Sequence, residues 1–480
     1  MNNSLRKDRS DDTGKATAYN RIISEDGFVY GIVVPWGWAK GYASDIGPNQ
    51  AYNKGSDFSI EKWTEIFCNC KAIGFNCIRI WLFEVMEGII CDDTGDVLGI
   101  HEEFMTNLKS LLDLAVSLDI NLEVTLQCHT SISLSTNIDL YNRYTQLQFD
   151  VNKRKNYIEK VVTPVCKLLG EYIDNIAAIH IFAEPEGDTN GEWGNQHQPY
   201  GTVWGKIADH IRQVGAKVRE IIPGAMITSS SGWQGFENLR RGNFNDLDLD
   251  IIGADIYNDK GEVFYDTANN KTYGSLEELN LSKPAWISEF GAISSKNWSD
   301  DFQSKTTVDM YKSAREAGYK GAFLWMYGYP ESSESLTVVG KNGDLRPVAG
   351  AVKFFLSDIR KERSGDKGIL DRPTMVYGHD VRRIKWLGSR NAARYRIERS
   401  QDMISWVTAA DHLTPLIVDN GSGLCTFTDR SALFGHKYFY RVTVYDKDGN
   451  FPFFRVFSLV SALPPIQSRK RLSKKRHRRI

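Results

Sequence analysis

KPAWISEFGA, from Lys283 to Ala292, decides the reading of the fold. Ala285-Trp286-Ile287 is a short apolar run with β-forming side chains, opened by Pro284 and closed by Gly291. It reads as a buried strand rather than a helix. Glu289 stands where that strand gives out. A carboxylate is costly to bury without a partner, so either an ion pair or chemistry must account for it. A second stretch of the same kind lies 105 residues upstream of Glu289: Ile176–Gly187, IAAIHIFAEPEG, an apolar strand ending in Glu184 and Pro185.

Working outward, strands and helices alternate. Strands are expected at Phe28–Trp38, Asn76–Phe83, Asn121–His129, Ile176–Glu184, Ala225–Ser231, Leu249–Tyr257, the opening stretch and Gly321–Met326. Between them, helical periodicity runs through Ser59–Ile73 (stopped by Gly74), His101–Leu118, Lys153–Tyr172, Thr202–Ile222, Phe302–Ala317 and Arg346–Arg363. Eight strands alternating with helices predict an α/β fold, a (β/α)8 TIM barrel over residues 25–365, preceded by a disordered arm at 1–24.

After about Ser364 the helical pattern stops. Seven short strands are expected: Met375–Tyr377, Arg382–Trp386, Ala393–Arg399, Ser405–Ala409, Leu424–Thr428, Tyr438–Tyr445 and Phe453–Leu459. They predict a small all-β sandwich over 366–464. The stretches ARYRIERSQDMISW and HKYFYRVTVYDKDGN resemble a fibronectin type III module, which implies a fold and not a ligand.

Composition narrows the class. Of 480 residues, 41% are hydrophobic and 25% charged, as in an ordinary globular protein. The net charge of -1 hides an asymmetry, since eight Lys/Arg between Arg469 and Arg479 leave -9 on the rest. The basic tail, 465–480, is expected to be solvated and able to contact anionic surfaces; its lack of aromatics argues against a nucleic-acid reader. Seven cysteines without framework spacing read as free thiols, and no CxxC or CxxH pairing points to a metal. The polar N-terminus lacks the apolar core of a signal peptide, and no apolar run is long enough to span a membrane. That predicts a cytoplasmic protein, or a secreted one whose leader has been removed.

A TIM barrel builds its site from the carboxyl ends of its strands. Those ends carry Trp36 and Trp38, Arg79 with Trp81, His129, Glu184, Trp233, Tyr257, Glu289 and Trp325. Two acids, an Arg, a His, a Tyr and several Trp suit a sugar better than a phosphate, and no Gly-rich loop, HExxH or GxSxG motif competes. Trp193 is a further loop residue placed to stack on a sugar, Trp63 reads as core, Glu84 as a loop ion pair, and Glu123 as pointing toward a helix-side partner. Two carboxyls facing across a barrel mouth suggest the acid and the nucleophile of a glycosidase.

A strand-four Glu followed by Pro, with a strand-seven Glu in a Ser-Glu-Phe-Gly setting, resembles clan A of the glycoside hydrolases, closest to family 5, the cellulase and β-mannanase family. The resemblance spans most of 27–360. It implies a retaining β-glycosidase acting on a β-linked glucan or mannan, with Glu184 as acid/base, Glu289 as nucleophile and no cofactor. Gly74-Phe75-Asn76-Cys77-Ile78-Arg79 matches the strand-two motif G-x-N-x-x-R, which implies that Arg79 holds the nucleophile ionised. His129, Tyr257 and Trp325 match the strand-three His, the strand-six aromatic and the strand-eight Trp, and Trp36 and Trp233 join them as substrate contacts. One position departs. The clan's Asn before the acid/base, which bonds the sugar 2-hydroxyl, is Ala183 here. Glu186, Asp188 and Asn190 are candidates to compensate. Ala183 keeps open a carbohydrate-binding protein with impaired turnover, and the sandwich and basic tail keep open an interaction protein that uses them.

Overall fold

Eight parallel strands close into a barrel in the computed structural model of the chain: β1 (Val29–Val34), β2 (Cys77–Trp81), β3 (Leu122–Cys128), β4 (Ile176–Ala183), β5 (Ile227–Ser231), β6 (Ile251–Asn258), β7 (Ala285–Ala292) and β8 (Gly321–Leu324). The structure describes residues 18–35, 44–129, 138–189, 203–232, 236–267, 269–292, 298–328, 336–340, 343–364, 373–376, 383–389, 391–415, 423–433, 436–449 and 454–461. Each strand pairs with its neighbours in sequence, and β8 closes on β1 with Val29 opposite Gly321. Strands β1 to β5, β7 and β8 are buried at every position, because helices cover one face and the barrel interior the other. That is why they read as continuous apolar runs rather than alternating ones.

The covering helices begin and end on local signals. Ile60–Ile73 starts where the Ser59 hydroxyl accepts from the Lys62 amide and stops at Gly74, whose φ of 106° suits a residue without Cβ. Asp300–Glu316 starts in the same way on Ser299, whose hydroxyl accepts from the Phe302 amide at 3.0 Å. The expected helix at Lys153–Tyr172 is Val151–Tyr157 and Thr163–Gly170 joined by a π turn at Ile158–Val162. A helix at Ile138–Phe149 and a small hairpin pairing Ile89–Cys91 with Val97–Ile100 had no counterpart among the expected elements.

The arm expected to be disordered over 1–24 needs correction at its far end. Ala18–Asp26 is a helix, with Ala18 and Ile22 fully buried in the cluster that holds Ala177, Ile251, Trp286 and Phe323. Tyr19 meets the Trp286 ring edge-on at 6.4 Å. Ala177, Ile251 and Trp286 sit at the amino ends of their strands, so the helix plugs the barrel at the end opposite the site. The chain is polar there, and Ala18 and Ile22, flanked by the partly buried Tyr19 and Ile23, carry the burial.

Residue contacts divide the chain into Met1–Gly368 with Gly421–Leu424, and Ile369–Asn420 with Cys425–Ile480. In the C-terminal region β9 (Thr374–Val376), β10 (Arg383–Leu387) and β13 (Leu424–Thr428) make a three-stranded sheet in the order β9-β10-β13. A four-stranded antiparallel sheet has the order β12-β11-β14-β15, from β11 (Arg394–Ser400), β12 (Val407–Leu413), β14 (Lys437–Tyr445) and β15 (Phe454–Ser461). Trp386 of β10 joins Tyr395, Ile397, Tyr440 and Val442 of this sheet in one core. The basic tail lies outside the described residues. Among the described residues no helix is long and apolar enough to cross a membrane, and Cys68, Cys70, Cys77, Cys91, Cys128, Cys166 and Cys425 are all free thiols.

Candidate active site

The site is assembled at the carboxyl ends of the strands. Arg79 of β2, with no solvent exposure, is its electrostatic centre. Its Nε donates to Thr125 Oγ1 at 2.8 Å, and its Nη1 donates both to the Ser288 carbonyl at 2.9 Å and to Glu289 Oε1 at 3.0 Å. The other Glu289 oxygen accepts from the Tyr257 hydroxyl at 2.7 Å. Residues 210 apart in sequence meet because β2 and β7 face each other across the barrel.

Opposing effects act on Glu289. Burial raises its carboxyl above the usual range, while Arg79 and Tyr257 pull it back toward ionisation. Burial also works against the Arg79 charge, but Glu123, Glu289 and Asp255 more than offset it, so the guanidinium stays charged. Burial first and the Glu289 charge second hold the Tyr257 phenol well above its usual range, so it remains a donor.

Glu184 has a different setting. It follows the last residue of β4 with a φ of 52°, the left-handed region that a residue with a side chain adopts at a cost. Its amide donates to the Ser230 carbonyl at 3.0 Å, and its Oε2 lies 3.2 Å from His129 Nδ1. Burial lowers the His129 imidazole to about 4, so the ring is neutral near pH 7. Gly232 makes the room: a Cβ there would lie 1.8 Å from Glu184 Oε1 and 2.3 Å from its Cδ.

A third carboxyl joins these two. Asp255 of β6 accepts from Ser230 Oγ at 2.9 Å, and one oxygen from each of Glu184, Asp255 and Glu289 lies within 4.8 Å of the others. Burial, then the charges of Glu289 and Glu184, push the Asp255 carboxyl well above its usual range. Among the described residues this trio has a spacing that a cation could use, and the cation beside it is Arg79. Asp255 was overlooked in the sequence, although it stands two residues before Tyr257 on one strand, where the period of two puts both on one face.

The sequence reading of Glu123 is overturned. It does not reach a helix: in register with Arg79, it faces the same interior, with Oε1 3.6 Å from Arg79 Nε and 2.8 Å from His180 Nδ1. Trp325 packs on Trp81 at 5.3 Å between ring centroids, and the Trp325–Met326 peptide is cis. Trp63 is buried, as expected, and Glu84 is buried as well. Trp36, Trp38, Trp193 and Trp233 lie outside the described residues.

Two of the three candidates to compensate for Ala183 are turned inward. Glu186 is fully buried, accepting from Ser231 Oγ and Asn238 Nδ2. Asp188 is fully buried and accepts from Gln148 Nε2 at 2.6 Å. Asn190 lies outside the described residues.

The barrel is similar in fold to several solved structures. It is similar to the β-mannanase of the blue mussel Mytilus edulis, at 17% identity and a TM-score of 0.51 over 70% of this chain and 93% of that one. The β-1,4-D-mannanase of Cryptopygus antarcticus matches at 19% identity and 0.51, over 69% and 90%. The endo-1,4-β-mannanase of Eisenia fetida matches at 18% and 0.50, over 68% and 90%. At such identities the likeness is one of fold. No protein-family model matches the chain, and no curated protein matches it in sequence.

Proposed function

We propose that this chain is a retaining β-glycoside hydrolase, with Glu289 as nucleophile and Glu184 as acid/base. The observation that carries the reading is the pair of unlike carboxyls at one barrel mouth. Glu289 is gripped at both oxygens by Arg79 and Tyr257. Glu184, an oxygen of which lies within 4.8 Å of one of Glu289, sits beside the His129 ring, which is neutral near pH 7, and in the room that Gly232 leaves. Retaining enzymes separate their carboxyls by about 5–5.5 Å, inverting ones by more. In the first step Glu289 attacks the anomeric carbon while Glu184 gives its proton to the departing oxygen. In the second, Glu184 takes a proton from water as that water displaces Glu289 from the sugar. Arg79 and Tyr257 hold the attacking carboxylate in line, His129 orients Glu184, and Trp325 offers the reacting sugar a ring face. Trp36 and Trp233 belong to the same proposal as further stacking surfaces.

The substrate is a β-linked mannan or glucan, or an oligosaccharide derived from one, and the mannanase barrels of like fold make β-1,4-mannan the first to try. We assign residues 25–365 to the catalytic barrel and 366–464 to a fibronectin type III-like module, supported by its strands lying three and four in two sheets. The chemistry calls for no cofactor. Ala183 favours a second reading, a sugar-binding protein with impaired turnover, because transition-state bonds to the 2-hydroxyl supply several kcal/mol.

One experiment separates the two. Aryl β-glycosides and β-linked polysaccharides are offered to the wild type, Glu184→Ala and Glu289→Ala, each with azide. The expected products are a β-glycosyl azide from Glu184→Ala and an α-glycosyl azide from Glu289→Ala. Sugar binding without turnover by the wild type would favour the second reading.

A further inference from the structure

Beneath the proposed nucleophile lies a pair of titratable groups that this mechanism leaves unused. Glu123 of β3 and His180 of β4 have no solvent exposure, and Glu123 Oε1 is 2.8 Å from His180 Nδ1. The other ring nitrogen, Nε2, lies 3.2 Å from the Phe182 carbonyl. A carbonyl only accepts, so Nε2 carries a hydrogen. The short contact at Nδ1 then needs one more proton between ring and carboxyl. Either the ring is neutral and Glu123 donates, or the ring is cationic and Glu123 is a carboxylate. In both forms the pair has no net charge.

The surroundings choose between them. Arg79 Nε stands 3.6 Å from Glu123 Oε1, so a cationic His180 would be a second buried positive charge beside it. Glu123 Oε2 is buried without a hydrogen-bond partner, which costs a carboxylate more than it costs an acid's carbonyl oxygen. Burial raises the Glu123 carboxyl to about 8, with Arg79 opposing, and burial and Arg79 together hold the His180 imidazole well below its usual range. These directions agree with the neutral form.

We propose that Glu123 and His180 are positioning residues, a neutral pair holding one shared proton, so that the Arg79 charge acts on Glu289 rather than on Glu123. This rests on the reading of Glu289 as nucleophile. The arrangement matters because Arg79 is the cation bonded to Glu289 and also faces Asp255 and Glu123. An ionised Glu123 would divide its field. The groups facing Glu123 are Cys77 and Arg79 of β2, His180 of β4 and Glu289 of β7. Those facing Glu289 are Arg79, Tyr257, Asp255, Glu184 and Cys128. Burial holds the Cys77 thiol well above its usual range, so it adds no charge.

The test follows carboxyl resonances of the full chain labelled with 13C at the glutamate side-chain carboxyl, in the wild type and Glu123→Gln, across pH 4–9. Glutamine keeps a donor to Nδ1, so it replaces the acid but not a carboxylate. In the wild type, Glu123 is expected to titrate near 8, His180 to show the neutral Nε2–H ring by 15N shifts at pH 6, and the Glu289 carbon to report a second inflection as Glu123 ionises. In Glu123→Gln that inflection disappears, while the main Glu289 midpoint stays within about 0.3 pH unit. The ratio of variant to wild-type kcat/KM on an aryl β-glycoside then rises between pH 7 and 9, which a merely structural role would not produce. A Glu123 already ionised at pH 6, or a Glu289 midpoint moved down by about one unit in Glu123→Gln, overturns the proposal. The titration of the wild type alone decides the matter if the variant does not fold. If the wild type turns over no glycoside, the resonances still test the pair, and only the role given to Glu289 falls.

Discussion

The two proposed catalytic carboxyls sit at the same mouth but are held by opposite means. Glu289 belongs to a strand, and donors from β2 and β6 fix both of its oxygens. Glu184 has left its strand in a left-handed backbone conformation, and the space beside it exists because residue 232 has no side chain. One carboxyl is gripped at both oxygens by Arg79 and Tyr257, while the other depends on the space that a missing side chain leaves beside it. The difference suits the proposed chemistry. A nucleophile profits from fixed geometry and a nearby cation, whereas a group that gives and regains a proton needs room beside the departing oxygen.

Breaking the bound side should have the largest effect. In Arg79→Ala, Glu289 is deprived of its cation, and Ser288, Thr125 and Glu123 of a partner as well. Removing one member of a buried pair costs about 3–5 kcal/mol. We expect kcat/KM to fall by at least about 10^3, with lowered thermal stability measured by circular dichroism. Arg79→Lys should recover little, because an ammonium cannot reproduce the planar fork that spans Thr125, Ser288 and Glu289. Near-normal kcat/KM in Arg79→Ala would show that the grip on Glu289 is not catalytic.

Filling the space on the other side comes next. In Gly232→Ala the new Cβ would stand 1.8 Å from Glu184 Oε1, so the carboxyl has to move. A displacement of about 1 Å can cost about 10^2-fold in rate. The loss should depend on the leaving group, large for a sugar or alkoxide and small for an aryl group that departs without a proton. A series of aryl β-glycosides of graded acidity reads this directly. A loss equal for all leaving groups would mean that Glu184 is not the proton donor.

How much of this could be read from the chain follows the same division. A carboxylate closing an apolar run is a local anomaly, and both Glu184 and Glu289 were visible as such, although β7 continues past Glu289 to Ala292. The eight strands were visible too, because burial on both faces leaves continuous apolar runs. What holds the carboxyls was less legible. Arg79 and Tyr257 were visible as strand-end residues, but their roles beside Glu289 entered through resemblance to a family, since those contacts exist only once the barrel closes. Glu123 was assigned to the wrong face, because an acid mid-strand looks like an outward residue until Arg79 and His180 are known to meet it inside. Asp255 went unseen for a similar reason: inside an apolar strand, nothing local distinguishes a carboxyl that closure places beside two others. Ala18–Asp26 is polar enough to pass for an arm, and its helix is decided by Ala18, Tyr19, Ile22 and Ile23 packing at the barrel floor.

The smallest effect concerns the support behind the acid. Glu186 lies two residues beyond Glu184 and is bonded to Ser231, the neighbour of Gly232, and to Asn238. Burial raises its carboxyl to about 7 despite those donors. In the unfolded chain the same group ionises near the ordinary glutamate value, about 4.3. Between the two values the folded protein binds the extra proton. Stability contributed by this group is therefore complete below about 4.3 and declines as the pH rises toward about 7, by up to about 1.4 kcal/mol per pH unit. Glu186→Gln retains the acceptor for Ser231 and Asn238 but cannot ionise. The difference in stability between variant and wild type should therefore grow in the variant's favour from pH 5 to pH 7 and level off above, as read by urea unfolding at each pH. Because Glu184 keeps its own backbone and its space beside Gly232, activity at pH 6 should change by less than about threefold. If activity instead fell as far as in Gly232→Ala, the acid would be held through Glu186 after all, and the contrast between a carboxyl fixed by donors and one fixed by space would not stand.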